Sequence, residues 1–334
     1  RKTVIAVHNS PQDSPFLLQK FKKLKSAGYD FDLVYLESKN KLRYFWEAFL
    51  CFFQNLAGTL RYFQKGPGLL KSRFIKQFLL DAVLIKSNPS QIHFEFGTLA
   101  AGRIHLKEIL GCKILVSFRG YDLNYVGLEN LDYYSEVWEK ADAVHVLGRD
   151  LWKRAIQRGC PSDKPHVFIP PAIDTNFFQF QNKNYTEKIG TKDRPVRILS
   201  VGRLVWKKGY EYALQAIRIL LDHGIFVDYR IIGSGDYLEA IAFTRHQLKL
   251  DDSVQLLGSK TTEELKKELE KADIFLHAAV SEGFCNAVVE AQSMGMPVVA
   301  SDADGLSENV EDGKTGFVVP RRDPRALAEK MMLL

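Results

Sequence analysis

The chain runs twice through one rhythm, in which short apolar stretches of strand character are separated by longer helix-like stretches. In the first half the apolar stretches are Thr3–Val7, Phe31–Leu36, Gln91–Phe96, Lys113–Phe118, Ala143–Leu147 and Val167–Ile169. Ser14 followed by Pro15 is an N-cap with proline at the first helical position, opening a helix that stops at Gly28. In the second half the strands are Arg197–Val201, Val227–Ile232, Val254–Leu257, Ile274–His277 and Val298–Ala300. They alternate with helices at Tyr210–Leu221, Asp236–Leu248, Thr262–Glu270, Ala287–Met294 and Pro324–Leu334. Strands alternating with helices predict a parallel sheet covered on both sides. Between the halves, residues 176–195 are polar and without period, which predicts a linker. The expected fold is α/β, with two doubly wound domains, residues 1–175 and 196–334, facing a central cleft.

In such sheets ligands sit beyond the carboxyl ends of the strands. Val201-Gly202-Arg203 leaves a strand there, and Lys208-Gly209 opens the next helix. Two cations beside free helical N–H groups form a site for a diphosphate, and they stabilise charge on a departing phosphate oxygen. Taken alone, Arg203, Lys207 and Lys208 read equally well as surface charges. A second motif, Ser281-Glu282-Gly283-Phe284-Cys285-Asn286, follows the apolar stretch Ile274–His277. Gly283 permits close backbone approach, Asn286 is placed to cap the next helix, and Glu290 lies one turn beyond it on the same face. A carboxylate at 290 would accept both hydroxyls of a ribose, whereas Glu282 would face a reacting sugar. The alternative, two solvated acids near a helix start, fits Glu290 poorly because its helix, Val-Val-Glu-Ala-Gln-Ser-Met, is largely apolar.

Other signals are weaker. Ile232-Gly233-Ser234-Gly235 lacks the full dinucleotide pattern, and Ser307-Glu308 marks a further turn. In the first half, Arg119 and Asp122 leave a strand toward the same cleft, although Asp122 also reads as a helix-start acid. His93 shares a strand face with Glu95, which suits either core packing or an acceptor contact.

The four cysteines, Cys51, Cys112, Cys160 and Cys285, show neither CxxC nor Cys/His clustering, so neither a zinc site nor a disulfide framework is expected, and a reducing compartment is. The first residue is Arg1 and not methionine, so a start is expected upstream; no charged-then-apolar leader is visible. The net charge of +6 is uneven: residues 39–86 hold nine basic and two acidic side chains together with ten aromatics. The longest apolar run there, Ala48–Phe53, is too short to span a bilayer. The segment therefore reads either as a helical hairpin filling a core or as a surface that lies on an anionic membrane. Nucleic acid is not expected, because no recognition module accompanies the charge.

These residues carry a resemblance. GRLVWKKG, EGFCNAVVEA and GMPVVASDADGLSENVEDGKTGFVVP resemble the motifs of the retaining glycosyltransferases of family 4, also called group 1. The resemblance implies the GT-B fold of two Rossmann-like domains, the first for the acceptor and the second for the donor. By the same resemblance Arg203 and Lys208 would hold the donor diphosphate, Glu290 the ribose, and Glu282 would sit against the hexose. Catalysis would rest on Arg203, Lys208 and Glu282. Gly202, Gly283, Phe284, Cys285 and Asn286 would complete the donor site, with Arg119, Asp122 and His93 toward the acceptor. The family uses no metal and no cofactor. Its donor is a UDP- or GDP-linked sugar and its acceptor a glycan or lipid-linked glycan, as in bacterial capsule and exopolysaccharide enzymes of the cytoplasm and inner membrane face. Many relatives have His-Gly where this chain has Arg119-Gly120, and His-Ala-His-Phe-Gly where it has His93-Phe94-Glu95-Phe96-Gly97. Asn9-Ser10-Pro11 replaces a common glycine pair. Two other classes are weighed against a transferase: a non-catalytic nucleotide-sugar-binding protein and a sugar-nucleotide epimerase of similar shape. Release of nucleoside diphosphate from a nucleotide sugar separates them.

Overall fold

Strands joined by helical crossovers run parallel, and every strand pairing among the described residues is parallel. The computed structural model describes residues 3–7, 22, 24–36, 41–65, 73–180 and 189–334. The expected helix start at Ser14-Pro15, the Asn9-Ser10-Pro11 turn, and Lys39 and Lys71 lie outside the described residues. The chain divides into two units, Arg1–Ile169 and Pro170–Leu334.

The first unit carries β1 (Thr3–Val7), β2 (Asp32–Tyr35), β3 (Gln91–Phe94), β4 (Lys113–Phe118), β5 (Ala143–Val146) and β6 (His166–Phe168). They form one sheet in the order β2-β1-β3-β4-β5-β6. Between β2 and β3 stand three helices, α1 (Lys41–Gln54), α2 (Leu56–Lys65) and α3 (Arg73–Ser87), where a hairpin was one expectation. Their aromatics divide between two roles. Tyr62, Phe74 and Phe78 are buried, whereas Leu42, Phe45, Trp46, Phe49 and Phe53 of α1 are each more than half exposed. The short helix α4 (Gly120–Asn124) follows β4.

The second unit carries β7 (Val196–Val201), β8 (Val227–Ile232), β9 (Val254–Leu256), β10 (Ile274–His277), β11 (Val298–Ser301) and β12 (Gly316–Val319). Their order is β9-β8-β7-β10-β11-β12, the arrangement of dinucleotide-binding folds. The direction of winding reverses between β7 and β10, which opens a crevice at their carboxyl ends. Successive side chains of a strand point to opposite faces, and the core obeys this. Ile274 and Leu276 join one apolar cluster with Tyr229, and Phe275 joins the other with Val288 and Val298. Helix α5 (Tyr210–Asp222) buries Tyr210, Ala213, Leu214, Ile217 and Leu220, spaced by three or four residues, against the first of these faces. Each fully buried Leu or Ile side chain contributes about 1.5–3 kcal/mol.

One strand was missed and one boundary needs correction. The short edge strand β12 falls in Gly-Phe-Val-Val, where four residues after a turn give too little period to distinguish a strand from a loop. The boundary between units falls at Ile169–Pro170 and not at 175, and the described parts of 176–195 belong to the second unit. Phe178 is buried in its core, its carbonyl accepts a hydrogen bond from Ser293 Oγ at 2.6 Å, and Ile189 packs on the opposite cluster. Polar composition concealed these anchors. Residues 181–188 lie outside the described residues.

Candidate functional site

The two motifs of the second unit meet at the β7/β10 crevice. After β7, Trp206–Lys208 makes a single 3-10 turn and Gly209 caps α5 with φ 61°. A Cβ on Gly209 would stand 2.1 Å from the Ala278 carbonyl oxygen, so only glycine allows this approach. The loop after β10 returns along it: Val280 N and Ser281 N donate to the Lys207 carbonyl at 2.8 and 3.3 Å. Two motifs far apart in sequence are thus joined backbone to backbone. The weak Ile-Ile-Gly-Ser-Gly signal has a packing cause as well, since a Cβ on Gly233 would lie 1.9 Å from the Gly202 carbonyl oxygen.

Gly202 leaves room for the Lys208 side chain; a Cβ there would meet Lys208 Cε at 3.3 Å. The Lys208 ammonium forms an ion pair with Glu282 Oε2, and both side chains are largely buried. Behind them, at the end of β10, the buried His277 places Nε2 3.6 Å from Glu282 Oε2 and Nδ1 4.0 Å from Cys285 Sγ. Burial raises the pKa of Glu282, but His277 and Lys208 outweigh it and hold the carboxyl down at about 2. For Lys208, burial favours loss of the proton, yet Cys285 and Glu282 beside it raise its pKa. Sequence reasoning missed His277. The signal available was a histidine closing an apolar strand five residues before Glu282.

Helix α6 (Asn286–Ser293) begins here. Asn286 does not cap it: Asn286 is its exposed first residue, and Cys285 occupies the cap position without a side-chain bond. The cap is instead tied down by Asn309 Oδ1, which accepts from Cys285 N at 3.0 Å. Gly283 and Phe284 are half-buried in the preceding loop, and Glu290 is half-buried one turn into α6. Arg203 is exposed at the turn beyond β7. Ser307 and Glu308 close a 3-10 turn whose Asp304 accepts from Ser281 Oγ and from Arg321 Nη1. In sequence Cys285 has no cysteine or histidine neighbour, but folding gives it His277. With Glu282 these residues present ligand atoms within 4.8 Å of one another, a set able to hold a metal ion.

In the first unit the expected acceptor residues separate into two kinds. Asp122 is fully buried, and its oxygens accept from Arg119 N at 2.9 Å and Thr98 N at 3.1 Å. It is the helix-start acid of α4, its carboxylate occupied by these backbone donors. Arg119 and His93 remain half-buried around Glu95: Arg119 Nη2 donates to Glu95 Oε2 at 2.8 Å, and His93 Nδ1 lies 3.6 Å from Oε1. His93 Nε2, Ser117 Oγ and His145 Nδ1 then form a chain with steps of 2.7 Å, ending in a bond of His145 Nε2 to the Ile169 carbonyl at 2.9 Å. Burial lowers the pKa of both histidines and favours their neutral forms. The carbonyl accepts, so His145 carries its proton on Nε2 and takes the Ser117 hydroxyl proton at Nδ1. Ser117 must then accept from His93 Nε2–H. The His93 proton therefore faces the sheet, and its Nδ1 lone pair faces Glu95.

The chain is similar to known proteins in sequence and in fold. The sequence profile of the glycosyl transferases, group 1, matches residues 181–334. The amylovoran biosynthesis glycosyltransferase AmsK of Erwinia amylovora is 30% identical over 80% of this chain and 69% of its own length. The chain belongs to the group 1 glycosyltransferases. A putative colanic acid biosynthesis glycosyltransferase, WcaL of Escherichia coli, is 31% identical over 72% of the chain, which spans 59% of that relative's length. The fold is that of the Anabaena protein HepE, solved with UDP and glucose: TM-score 0.72 at 16% identity, covering 99% of this chain and 89% of that one. The sucrose-phosphate synthase of Thermosynechococcus elongatus fits equally, with TM-score 0.72 at 16% identity over 100% of this chain and 89% of its own. The two units are thus the Rossmann-like domains of a GT-B glycosyltransferase.

Proposed function

We propose that this group 1 enzyme is a retaining hexosyltransferase of exopolysaccharide assembly, moving a hexose from a UDP- or GDP-linked donor to a glycan or lipid-linked acceptor. The observation that carries this reading is the Lys208–Glu282 pair, held where the Lys207 carbonyl joins both motifs at the β7/β10 crevice. An arriving diphosphate competes for the Lys208 ammonium, with Arg203 beside it, and releases Glu282 to accept hydrogen bonds from the hexose hydroxyls. Glu290 takes the ribose. Relatives include GDP-mannose-dependent mannosyltransferases, and HepE was solved with UDP, so both bases belong in the test. Incubation with a panel of UDP- and GDP-hexoses should release nucleoside diphosphate from one of them, faster with acceptor. Product with inverted anomeric configuration by NMR would overturn retention, and no release from any donor would overturn the transferase.

Glu290→Gln should weaken nucleoside diphosphate binding by about 1.5–3 kcal/mol, the worth of charge-assisted hydrogen bonds. Calorimetry with UDP and GDP checks this, and unchanged affinity rejects the ribose role. Activity should persist in EDTA, because Arg203, Lys208 and the start of α5 supply the positive potential a metal otherwise provides. Loss on chelation that magnesium restores would show the reverse.

The proposal extends to a peripheral position on the inner face of the membrane, with α1–α3 as the docking surface. Leu42, Phe45, Trp46, Phe49 and Phe53 recur at i, i+3, i+4, i+7 and i+11 and line one exposed side of α1. The acids of these helices are turned inward: Glu47 pairs with Lys86, and Asp81 is buried between Tyr62 and Arg103. The exposed charges described there, Arg61, Lys65 and Lys76, are all basic. No described helix is long and apolar enough to cross a membrane. Reversing those three to glutamate should reduce binding to anionic vesicles roughly a hundredfold, at about 1 kcal/mol per basic residue. Sedimentation with anionic and neutral vesicles decides it, and equal, negligible binding to both would leave α1–α3 as a packed insert.

A further inference from the structure

We propose that His277, Glu282 and Cys285 form an inhibitory binding site for a soft or borderline divalent cation such as Zn2+, directly beneath the Lys208 clamp. Imidazole, carboxylate and thiolate are the ligand types such ions select. All three side chains are largely or fully buried, and their ligand atoms fall within 4.8 Å of one another. A second observation points to a missing partner: His277 Nε2 is buried without a hydrogen bond and is aimed at Glu282 Oε2 from 3.6 Å. That gap is too long for a hydrogen bond. It is close to the roughly 3.3–3.6 Å that separates two ligands of one tetrahedral zinc, given metal–ligand bonds of about 2.0–2.3 Å. Cys285 Sγ lies 4.0 Å from Nδ1 of the His277 ring and within the 4.8 Å spread of the ligand atoms, so a side-chain rotation moving it by about 1 Å completes the set.

The cation position is already in use. The Lys208 ammonium neutralises Glu282 there, so an arriving metal must evict it and takes over the carboxylate. Binding deprotonates the Cys285 thiol, and two anionic ligands then balance the divalent charge. The remaining basic surroundings, with Lys207 and the start of α6 nearby, keep affinity moderate and set the ion apart from a permanent structural zinc. Metal and donor thereby exclude one another, because the ion holds Glu282 and displaces Lys208. This last step rests on the donor-site reading above; occupancy of the site does not.

Cobalt is a spectroscopic probe that does not require activity. Titrating the reduced full chain with Co2+ should give visible bands of tetrahedral cobalt and a thiolate-to-cobalt charge-transfer band. Cys51, Cys112 and Cys160 are buried elsewhere, so Cys285→Ser should abolish the charge-transfer band while circular dichroism stays unchanged. His277→Gln should weaken binding at least tenfold, the lower bound seen when even a ligand's supporting partner is lost. Lys208→Met, which removes the competing ammonium, should bind Co2+ at least tenfold more tightly. Absence of a charge-transfer band in folded wild type, or its survival in Cys285→Ser, overturns the site. Should Cys285→Ser fail to fold, the Lys208→Met titration decides, and unchanged or weaker binding there overturns the competition. A chain that binds cobalt as described but releases no nucleoside diphosphate would refute the transferase reading and leave the metal site standing.

Discussion

Lys208→Ala and Arg203→Ala should each lower kcat by about 10²–10³-fold, the cost of removing one fixed donor from a developing oxyanion. The two variants should differ in stability. Arg203 is exposed, and its loss leaves no buried charge behind. Lys208 is the partner of a largely buried carboxylate, and stripping a buried pair of one member destabilises by about 3–5 kcal/mol. Lys208→Ala should therefore melt earlier than wild type, and Lys208→Met with Glu282→Gln should recover the melting temperature without recovering activity. Steady-state kinetics at saturating donor, beside thermal melts, test both halves. Activity within twofold of wild type in both single variants would remove Arg203 and Lys208 from the chemistry.

Gly209→Ala should unfold the second unit more readily and abolish activity together. The added Cβ would stand 2.1 Å from the Ala278 carbonyl, and the residue holds a left-handed φ of 61°. The conformation alone costs an L-residue about 1–2 kcal/mol, and relief of the clash must separate the Lys207 turn from the strand-β10 loop. A total near 3 kcal/mol corresponds to about 6–12 °C in Tm for a unit of this size. Gly224→Ala is the control, since it shares the positive φ but meets nothing within 4 Å. It should lose only the conformational part. Equal melting temperatures for the two variants would show that close approach at Gly209 is unimportant.

The second unit was the more legible in sequence, for a physical reason. Its charged motif residues sit at strand–turn–helix junctions, and such junctions are local in the chain. Gly202, Arg203, Lys208 and Gly209 lie within one turn, and Glu282 to Glu290 within another. The first unit was less legible because its polar groups belong to different strands. Asp122 reads equally as a cleft acid or a helix-start acid until folding brings Thr98 N onto it, and Ser117 has no evident role until His93 and His145 flank it. Helices α1–α3 were ambiguous because composition counts aromatics without assigning them to faces. Tyr62 and Trp46 look alike in a tally, yet one is buried and the other exposed.

Local pattern alone was enough for two parallel α/β units, the switch from strand to helix after Gly202, and the charged residues of both second-unit motifs, because periodicity and turn chemistry act over a few residues. Other features arose only from tertiary contact. The strand order that places β7 beside β10 brought Lys208 onto Glu282, and Glu282 onto His277 and Cys285. Packing within each unit likewise assigned Phe178 to the second core and turned Glu47 and Asp81 of the first unit away from solvent. Each of these depends on which residues distant in sequence share a buried volume. Burial makes a charge seek its partner there, and no local pattern records which partner it finds.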